Sequence, residues 1–160
     1  MKIEIKHRYT DNVLYVCYAE NLKEAVIEAI SKNINLSGAD LHGADLSGAN
    51  LHGADLGGAN LGGTYLSCAY LGGEKLAICP ISMSGTTWDI LISESYLVIG
   101  CQRHTHGEWK TFTMKEIAEM ESRASKFWTA NKSWLLSACE AHRKESLAYR
   151  KSNPINGETK

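Results

Sequence analysis

Leucine recurs at every fifth residue through GADLHGADLSGANLHGADLGGANLGG, which covers residues 38–63. A helix advances about 100° per residue, so leucines five residues apart would be spread around its surface instead of forming one stripe. A strand alternates its side chains between two faces, so an odd spacing would place successive leucines on opposite faces. The spacing therefore excludes one continuous helix or strand. It predicts a solenoid that turns a corner once every five residues.

The other positions of each pentad support this register. Glycine recurs where the corners would fall, because a residue without Cβ accepts corner dihedrals. Alanine two residues before each leucine fits a second inward position. The Asp or Asn between them must point outward, because unpaired carboxylates are almost never buried. With lower fidelity at both ends, the register gives ten pentads over residues 34–83, the last of them carrying Cys79 and Ile81.

The pentads ADLHG, ADLSG, ANLHG, ADLGG and ANLGG resemble the A(D/N)LxG motif of the pentapeptide-repeat family. In that family four pentads make one coil of a right-handed quadrilateral β-helix, so the resemblance implies about two and a half coils here. The opening MKIEIKHRYTDNVLYVCYAENLKEAV and the later IGCQRHTHGEW and KFWTANKSWLL are similar to parts of small pentapeptide-repeat proteins of bacteriophages and prophages. The resemblance therefore implies a phage or prophage origin.

Residues 1–33 precede the repeats and have a different pattern. Alternation over residues 2–6 and an apolar run over 13–18 predict a β-hairpin. Asn21, with Glu24 three residues later, predicts the start of a helix with a capping box. The end of a solenoid exposes apolar interior and unpaired strand edges, so we expect this hairpin and helix to cover it.

Residues 84–150 follow the repeats and are predicted to form a second hairpin and two helices. Its strands are expected at residues 88–92 and 96–99, and its first helix is expected to begin at Thr113. Residues 151–160 contain Pro154 and Gly157 and are predicted to be a flexible tail. The sequence thus predicts an α+β fold, in which a short β-helix lies between two capping units.

Composition limits the partners of the chain. A formal net charge of −1 gives no overall attraction to nucleic acid or to an anionic membrane. There is no leader-like segment and no apolar run near the about 20 residues of a membrane-spanning helix. The five cysteines are dispersed and odd in number, which is typical of thiols in a reducing compartment. We therefore expect a cytoplasmic protein, in the infected bacterial host if a phage encodes it.

The segment CQRHTHGEW, from Cys101 to Trp109, is predicted to be a loop and has the richest local set of chemically capable side chains. One interpretation needs no ligand, because Cys101 and His104 could pack against the C-terminal helix. The other is a binding site for a phosphate-bearing ligand. Arg103, His104 and His106 would supply hydrogen-bond donors to the phosphate, and Trp109 would supply a face for a base.

Two further interpretations use the same segment. A nucleophilic pair of Cys101 and His104, oriented by Glu108, would make a small enzyme acting on a phosphorylated or nucleotide ligand. Alternatively, zinc would find four ligands of suitable type in Cys101, His104, Cys139 and His142. The spacing is not that of a standard zinc finger, and we expect neither a metal nor another cofactor.

Tyr65 and Tyr70 stand at the outward position that Asp or Asn holds in the other pentads. Aromatic residues there predict that something covers them. Either the C-terminal helices fold over them, or they belong to an interface. Because two-fold dimers are the commonest oligomers and repeat ends readily make symmetric contacts, we expect a homodimer.

Catalytic signatures such as a nucleophile elbow, a phosphate-binding loop or a zinc-protease motif are absent from the sequence. The favoured function is therefore a non-enzymatic phage or prophage binding protein, a host-defence antagonist that sequesters a small nucleotide-like ligand or blocks a host protein. The small enzyme described above is the alternative. Long members of the wider family imitate DNA and inhibit topoisomerases, but this chain is too short and has too few acids in its repeats for that function.

Overall fold

The computed structural model describes residues 1–52, 54, 56, 59–66, 69–71, 74–83 and 86–154. Its strands are β1 (Lys2–Lys6), β2 (Val13–Tyr18), β3 (Asn50–Leu51), β4 (Tyr70–Leu71), β5 (Glu74–Lys75), β6 (Ile81–Met83), β7 (Ile90–Ile92), β8 (Tyr96–Ile99) and β9 (Gln102–Thr105). Its helices are α1 (Leu22–Ser31), α2 (His106–Thr111), α3 (Met114–Met120) and α4 (Ala124–Ser152). The chain is thus of mixed α and β structure, as the sequence predicts.

The N-terminal unit, residues 1–33, confirms the predicted hairpin and helix. Strands β1 and β2 pair antiparallel, and the Asn21 side chain accepts a hydrogen bond from the backbone N–H of Glu24 at 3.0 Å. The capping box is incomplete, because the Glu24 carboxylate accepts from the N–H of Glu20 and not from that of Asn21. The hairpin extends onto the repeats through an antiparallel bridge between His7 and Ala39, so it covers the beginning of the repeat interior.

The repeat segment, residues 34–71, has its leucines inside. Successive leucines of the first pentads are completely buried: Leu36, Leu41, Leu46 and Leu51. Parallel pairings join residues that lie 20 positions apart, namely Asp40 with Asn60, Asp45 with Tyr65 and Asn50 with Tyr70. These pairings share one offset of 20 residues, which is the length of four pentads.

The structure also gives a reason for Asp and Asn at the outward position. The side-chain oxygens of Asp45, Asn50 and Asn60 each accept the backbone N–H two residues further on, at 3.0, 3.0 and 3.1 Å. These short side chains thereby satisfy an N–H at the corner that no strand partner reaches. The outward position is selected for corner formation as well as for solubility.

The last two predicted pentads do not continue the parallel pairing. Strand β4 turns back and pairs antiparallel with β5, and β6 pairs antiparallel with β7. The prediction of two further pentads, at Glu74/Leu76 and at Cys79/Ile81, is therefore wrong. Pro80 has no N–H to donate to a parallel ladder, which is one physical reason why the repeat pattern cannot continue through it.

The C-terminal unit, residues 81–152, differs from the predicted hairpin and two helices. Its sheet has four antiparallel strands in the order β6-β7-β8-β9, and it is followed by α2, α3 and α4. The segment predicted to be a loop instead contains β9 and the first turns of α2. Two local signals explain this. Gly100 takes φ 60° in the two-residue turn between β8 and β9, and Thr105 with Glu108 forms a complete capping box for α2.

The helices pack on one face of this sheet and form a second core. Its fully or almost fully buried members are Ile90, Ile92, Leu97, Ile99, Trp109, Ile117, Trp128, Leu135 and Cys139. Helix α3 begins after Thr113 as predicted. Helix α4 continues to Ser152, two residues into the predicted tail, and residues 155–160 of that tail lie outside the described residues.

Polar contacts join the C-terminal unit to the rest of the chain. Arg8, in the turn after β1, forms an ion pair with Asp89, and Arg150 donates a hydrogen bond to the carbonyl oxygen of Lys75. The His142 Nε2 atom lies 3.1 Å from the carbonyl oxygen of Cys79. In the described part of the chain, no helix combines the length and the apolar character needed to cross a bilayer.

Candidate functional site

A cavity of about 280 Å³ separates the repeat segment from the C-terminal sheet, and we call it the repeat–sheet cavity. One wall consists of small and branched apolar side chains of the repeats, namely Ala54, Leu56, Ala59, Leu61 and Leu71. The opposite wall is the sheet face that carries Leu91, Tyr96, Val98 and Arg103. The cavity therefore has one purely apolar wall and one wall with polar and charged groups.

The apolar wall is where the repeat interior is least closed. The leucines of the first pentads are completely buried, whereas Leu56, Leu61 and Leu71 are only partly buried. The N-terminal unit covers the first end of the repeats, but nothing equivalent in the described residues fills the space beside these three. Leaving apolar surface in contact with water costs about 25 cal/mol per Å². This wall is therefore suited to an apolar group.

Arg103 is the cationic group of the opposite wall. Its guanidinium carbon lies over the Tyr96 ring, 3.7 Å from the ring centroid. Stacking of this kind limits the rotamers of arginine and directs the edges of its planar fork. Strand β9 brings Arg103 opposite Val98 of β8, so that both side chains share the cavity face. The geometry suits an anionic group placed beside Arg103.

Two carboxylates also line the repeat–sheet cavity. Asp89 forms the ion pair with Arg8, whose side chain is nearly buried, so its charge is balanced by the N-terminal unit. Glu74 lies on the strand that turns back from the repeats. The cavity is thus built by the repeats and the C-terminal unit, and the N-terminal unit contacts its lining through Arg8.

His104 and Trp109 lie on the other face of the sheet, away from Arg103. The His104 ring makes edge contacts with the rings of Trp109 and Phe112, at centroid separations of 5.3 and 4.8 Å. Trp109 is buried in the C-terminal core and its indole N–H donates to the carbonyl oxygen of Leu97 at 2.7 Å. Neighbouring residues of a strand point to opposite faces, so Arg103 and His104 cannot serve one pocket from one strand.

The remaining candidates of the predicted loop are also separated. His106 is buried at the start of α2, and burial lowers the pKa of its imidazole below the ordinary value. Cys101 is exposed in the turn and lines the cavity. Glu108 is occupied in capping α2, where its carboxylate accepts both the N–H and the hydroxyl of Thr105. The structure therefore brings only Cys101 and Arg103 to the cavity.

The four residues considered for zinc are not brought together. His142 points its Nε2 at the carbonyl oxygen of Cys79, and Cys139 is buried in the C-terminal core. Burial raises the pKa of the Cys139 thiol to about 11, which disfavours the thiolate that a metal would need. Among the described residues, no group of three or more His, Cys, Asp or Glu side chains is placed to hold a metal ion.

Tyr65 and Tyr70 remain at the surface of the chain. Tyr65 is 62% exposed, and Tyr70 is 37% exposed with an edge contact to the His52 ring at 5.5 Å. The interpretation that the C-terminal helices fold over both is wrong, because these helices pack on the four-stranded sheet instead. An interface with another molecule stays a prediction for these two residues.

Sequence reasoning missed the apolar wall and Tyr96. The repeat leucines were all expected to be interior, and no local pattern distinguishes Leu61 from Leu46. The sequence did carry one signal for this wall, namely the loss of the repeat pattern after Leu71. Where a repeat array ends, its apolar interior must be either covered or exposed. The strand assignment of residues 96–99 placed Tyr96 and Val98 on one face, but only β9 and the repeats complete the pocket.

Comparison with known protein families covers the repeats alone. Residues 32–73 match the family model for pentapeptide repeats in eight copies, and this match ends before β5, where the parallel pairing also ends. No curated protein and no solved structure shows significant similarity to the chain. The chain therefore contains pentapeptide repeats. Its origin and partners stay predictions.

Proposed function

We propose that this chain is a non-enzymatic binding protein that holds a small ligand in the repeat–sheet cavity. The observation that carries the proposal is the cavity of about 280 Å³, with leucines of the repeats on one wall and Arg103 stacked on Tyr96 on the other. A volume of this size is near the lower end of the range of roughly 300–1,000 Å³ that is typical of ligand pockets.

The two walls define the ligand chemistry. An apolar or planar body would contact Leu56, Leu61 and Leu71, and an anionic group would accept hydrogen bonds from Arg103, because a guanidinium matches phosphate and carboxylate geometry. A small phosphate-bearing, nucleotide-like molecule meets both requirements. His104 does not line the cavity that Cys101 lines, so the predicted pair of nucleophile and base does not meet there, which supports binding over catalysis.

The remaining parts of the proposal rest on the repeat pattern and on the resemblance. The pairing offset of 20 residues supports a quadrilateral β-helix in the repeat segment, and the family resemblance supplies its right-handed sense. The exposed Tyr65 supports a homodimer. The resemblance seen in the flanking segments would make the chain a phage or prophage factor that acts in the bacterial cytoplasm, where it would antagonise host defence by sequestering a ligand or blocking a host protein.

Recovery of the ligand tests the proposal directly. The protein is purified from bacterial cells and denatured, and the released small molecules are identified by mass spectrometry. We expect an intact phosphate-bearing molecule in near-stoichiometric amount from the parent and from Arg143→Ala, an exposed arginine outside the cavity. Arg103→Ala and the cavity-filling Val98→Trp should release much less. A chemically altered product would point to an enzyme instead. Equal recovery of the molecule from all variants would show that the repeat–sheet cavity is not its binding site.

Alkylation of Cys101 gives a second readout that needs no variant. Cys101 and Cys79 are both exposed, but only Cys101 lines the cavity. We expect adenosine monophosphate, used as the probe, to slow the reaction of N-ethylmaleimide with Cys101 and to leave the reaction with Cys79 unchanged, as read by peptide mass spectrometry. Equal rates at Cys101 with and without the nucleotide would contradict nucleotide binding at this place.

A further inference from the structure

Strand β2 forms the outer edge of the N-terminal hairpin. Its partner β1 lies between β2 and the repeats, because the carbonyl oxygen of Lys6 accepts the N–H of Asp40 at 2.8 Å. The N–H of Arg8 likewise donates to the carbonyl oxygen of Gly38 at 2.8 Å. In the described part of the chain, no strand or isolated bridge pairs with the other side of β2. The backbone of β2 is therefore open to a further strand.

The register of the hairpin shows which backbone groups point to this open side. The terminal ammonium group of Met1 donates to the carbonyl oxygen of Ala19 at 2.7 Å, and the Ala19 N–H donates back to Met1 at 3.0 Å. Pairs that exchange hydrogen bonds alternate with pairs that do not along an antiparallel ladder, so Cys17 bonds to β1 as Ala19 does. The N–H and C=O groups of Val16 and Tyr18 consequently point away from β1.

The sequence of β2 does not protect this edge. Natural proteins commonly guard an edge strand with charged residues, with proline or by keeping it short. The six residues of β2, VLYVCY, include neither a charge nor a proline, and the side chains of Val16 and Tyr18 are 43% and 83% exposed. In the C-terminal sheet, by contrast, edge strand β9 carries Arg103 among polar residues, and edge strand β6 has three residues and follows Pro80. The edge of β2 is therefore better suited to strand pairing than either of these.

A second copy of the chain can satisfy this edge by symmetry. Its own β2 has the same outward donors and acceptors, and an antiparallel arrangement around a two-fold axis at Cys17 matches each donor to an acceptor. That arrangement places Val16 of each copy opposite Tyr18 of the other. Pairs of a β-branched and an aromatic side chain stabilise neighbouring strands. It also keeps Glu20 away from its own copy, whereas a parallel arrangement in the same register would bring the two Glu20 carboxylates together.

We propose that two copies of this chain pair antiparallel through the outer edges of their β2 strands, so that the two hairpins form one four-stranded sheet. This inference rests on the homodimer of the proposed function and gives it a contact surface separate from the exposed Tyr65; it does not involve the ligand of the repeat–sheet cavity. A strand of six residues is only about 20 Å long, so the contact is small and the dimer should dissociate on dilution.

Amide hydrogen exchange tests this pairing residue by residue in the full chain. The ¹⁵N-labelled protein is followed by nuclear magnetic resonance at several concentrations, and sedimentation gives the dimer fraction at each. Exchange of the Val16 and Tyr18 amides should slow as the dimer fraction rises. The amide of Cys17, which bonds to β1 within one chain, should be protected throughout and serves as the internal control. Exchange at Val16 and Tyr18 that stays fast while the dimer forms would overturn the proposal.

Two variants separate this interface from one at Tyr65. Val16→Lys places a charge on the open edge and should raise the dimer dissociation constant about tenfold or more, because charged edge residues oppose strand addition. Its side chain lies on the exposed face, so the melting temperature of the dilute protein should stay close to that of the parent. Tyr65→Lys makes the same change at an exposed aromatic residue of the repeats and should leave the dissociation constant unchanged.

The outcomes distinguish this inference from the homodimer on which it rests. A dissociation constant that Val16→Lys does not change would overturn the β2 interface and leave the homodimer standing. A parent protein that stays monomeric at every concentration would remove both. If Val16→Lys fails to fold, the amide exchange of the parent decides alone.

Discussion

In the repeat segment each interior leucine lies five residues from the next, whereas the core of the C-terminal unit gathers residues from β7, β8 and three helices. One interior is filled by a local rule that the chain repeats. The other requires side chains far apart in sequence, such as Leu97 and Leu135, to meet. A local repeat can be recognised from the sequence alone, but long-range side-chain contacts depend on how the strands and helices pack. The ligand site proposed above lies where the second kind of packing operates.

The largest expected effect is in the repeat interior. Leu51 is completely buried among stacked leucines, and Leu51→Asp would place an unpaired carboxylate there. We expect the chain not to fold, because such a charge costs several kcal/mol against a total stability of roughly 5–15 kcal/mol. Thermal unfolding, monitored by circular dichroism, measures whether the variant is folded and at what temperature it melts.

The neighbouring Asn50 provides the matched control for that change. Asn50 is exposed, and its side-chain oxygen accepts the N–H of His52, which a carboxylate can also do. Asn50→Asp should therefore leave the melting temperature close to that of the parent. Equal stability of Leu51→Asp and Asn50→Asp would refute the inward and outward register of the repeats.

An intermediate effect is expected where the two regions are joined. Arg8→Ala and Asp89→Ala each break the ion pair between the N-terminal turn and the rim of the cavity. Each should lower the free energy of unfolding by about 1–3 kcal/mol, because a partly buried charge loses its counter-charge. The double variant should cost less than the sum of the two single variants, as a double-mutant cycle in urea would show.

The exposed pair of Lys144 and Glu140 on α4 is the control for this cycle. Its atoms are 3.0 Å apart, but both side chains are mostly exposed, so solvent should reduce the coupling to a small fraction of that expected for Arg8 and Asp89. If the Arg8–Asp89 cycle gave a coupling no larger than this, the N-terminal unit would not be holding the C-terminal unit through that contact.

The smallest effect concerns a helix cap and depends on pH. The backbone N–H of Thr113, and then its hydroxyl, hold the pKa of the Glu116 carboxyl below its ordinary value of 4.5. A lowered folded-state pKa means that the cap stabilises the protein above the unfolded-state value and loses that effect as the pH falls through the folded-state value. Glu116→Gln should therefore lower the melting temperature at pH 7, and this difference should shrink below pH about 4.5.

Glu119 lies on the same helix and is exposed, so Glu119→Gln serves as the control. Melting temperatures measured from pH 7 to pH 3 should follow the parent more closely for this variant. A Glu116→Gln difference that stays constant across the range would show that the carboxylate charge does not contribute to capping.

Much of the fold could be predicted, and the reason is the same in each case. The hairpin and helix of residues 1–33, the inward leucines and the start of α3 follow from periodicity and capping residues within one short stretch. Strand β9 was missed because polar residues such as Gln102, Arg103 and His104 carry no apolar alternation. Their strand is stabilised by pairing with β8, which the sequence of β9 alone does not reveal.

The candidate site was predicted less well than the fold. Arg103 lines the repeat–sheet cavity, and its binding of a ligand stays a prediction, but His104, His106 and Trp109 were grouped with it on the basis of nearness in sequence. Alternation along β9 places His104 on the opposite face, and the capping box of Thr105 and Glu108 starts helix α2 at His106. Nearness in sequence therefore did not predict a shared site.

The sequence by itself determined the five-residue register, because each pentad contains its own corner, its outward polar group and its inward leucine. Only the tertiary structure decided where the register is left open and what faces the opening. Leu61 and Leu46 occupy equivalent positions in the repeat, yet only Leu61 lines the cavity opposite Arg103. The difference comes from the packing of a distant sheet, held in place by contacts such as Arg8 with Asp89, and no local pattern encodes such contacts.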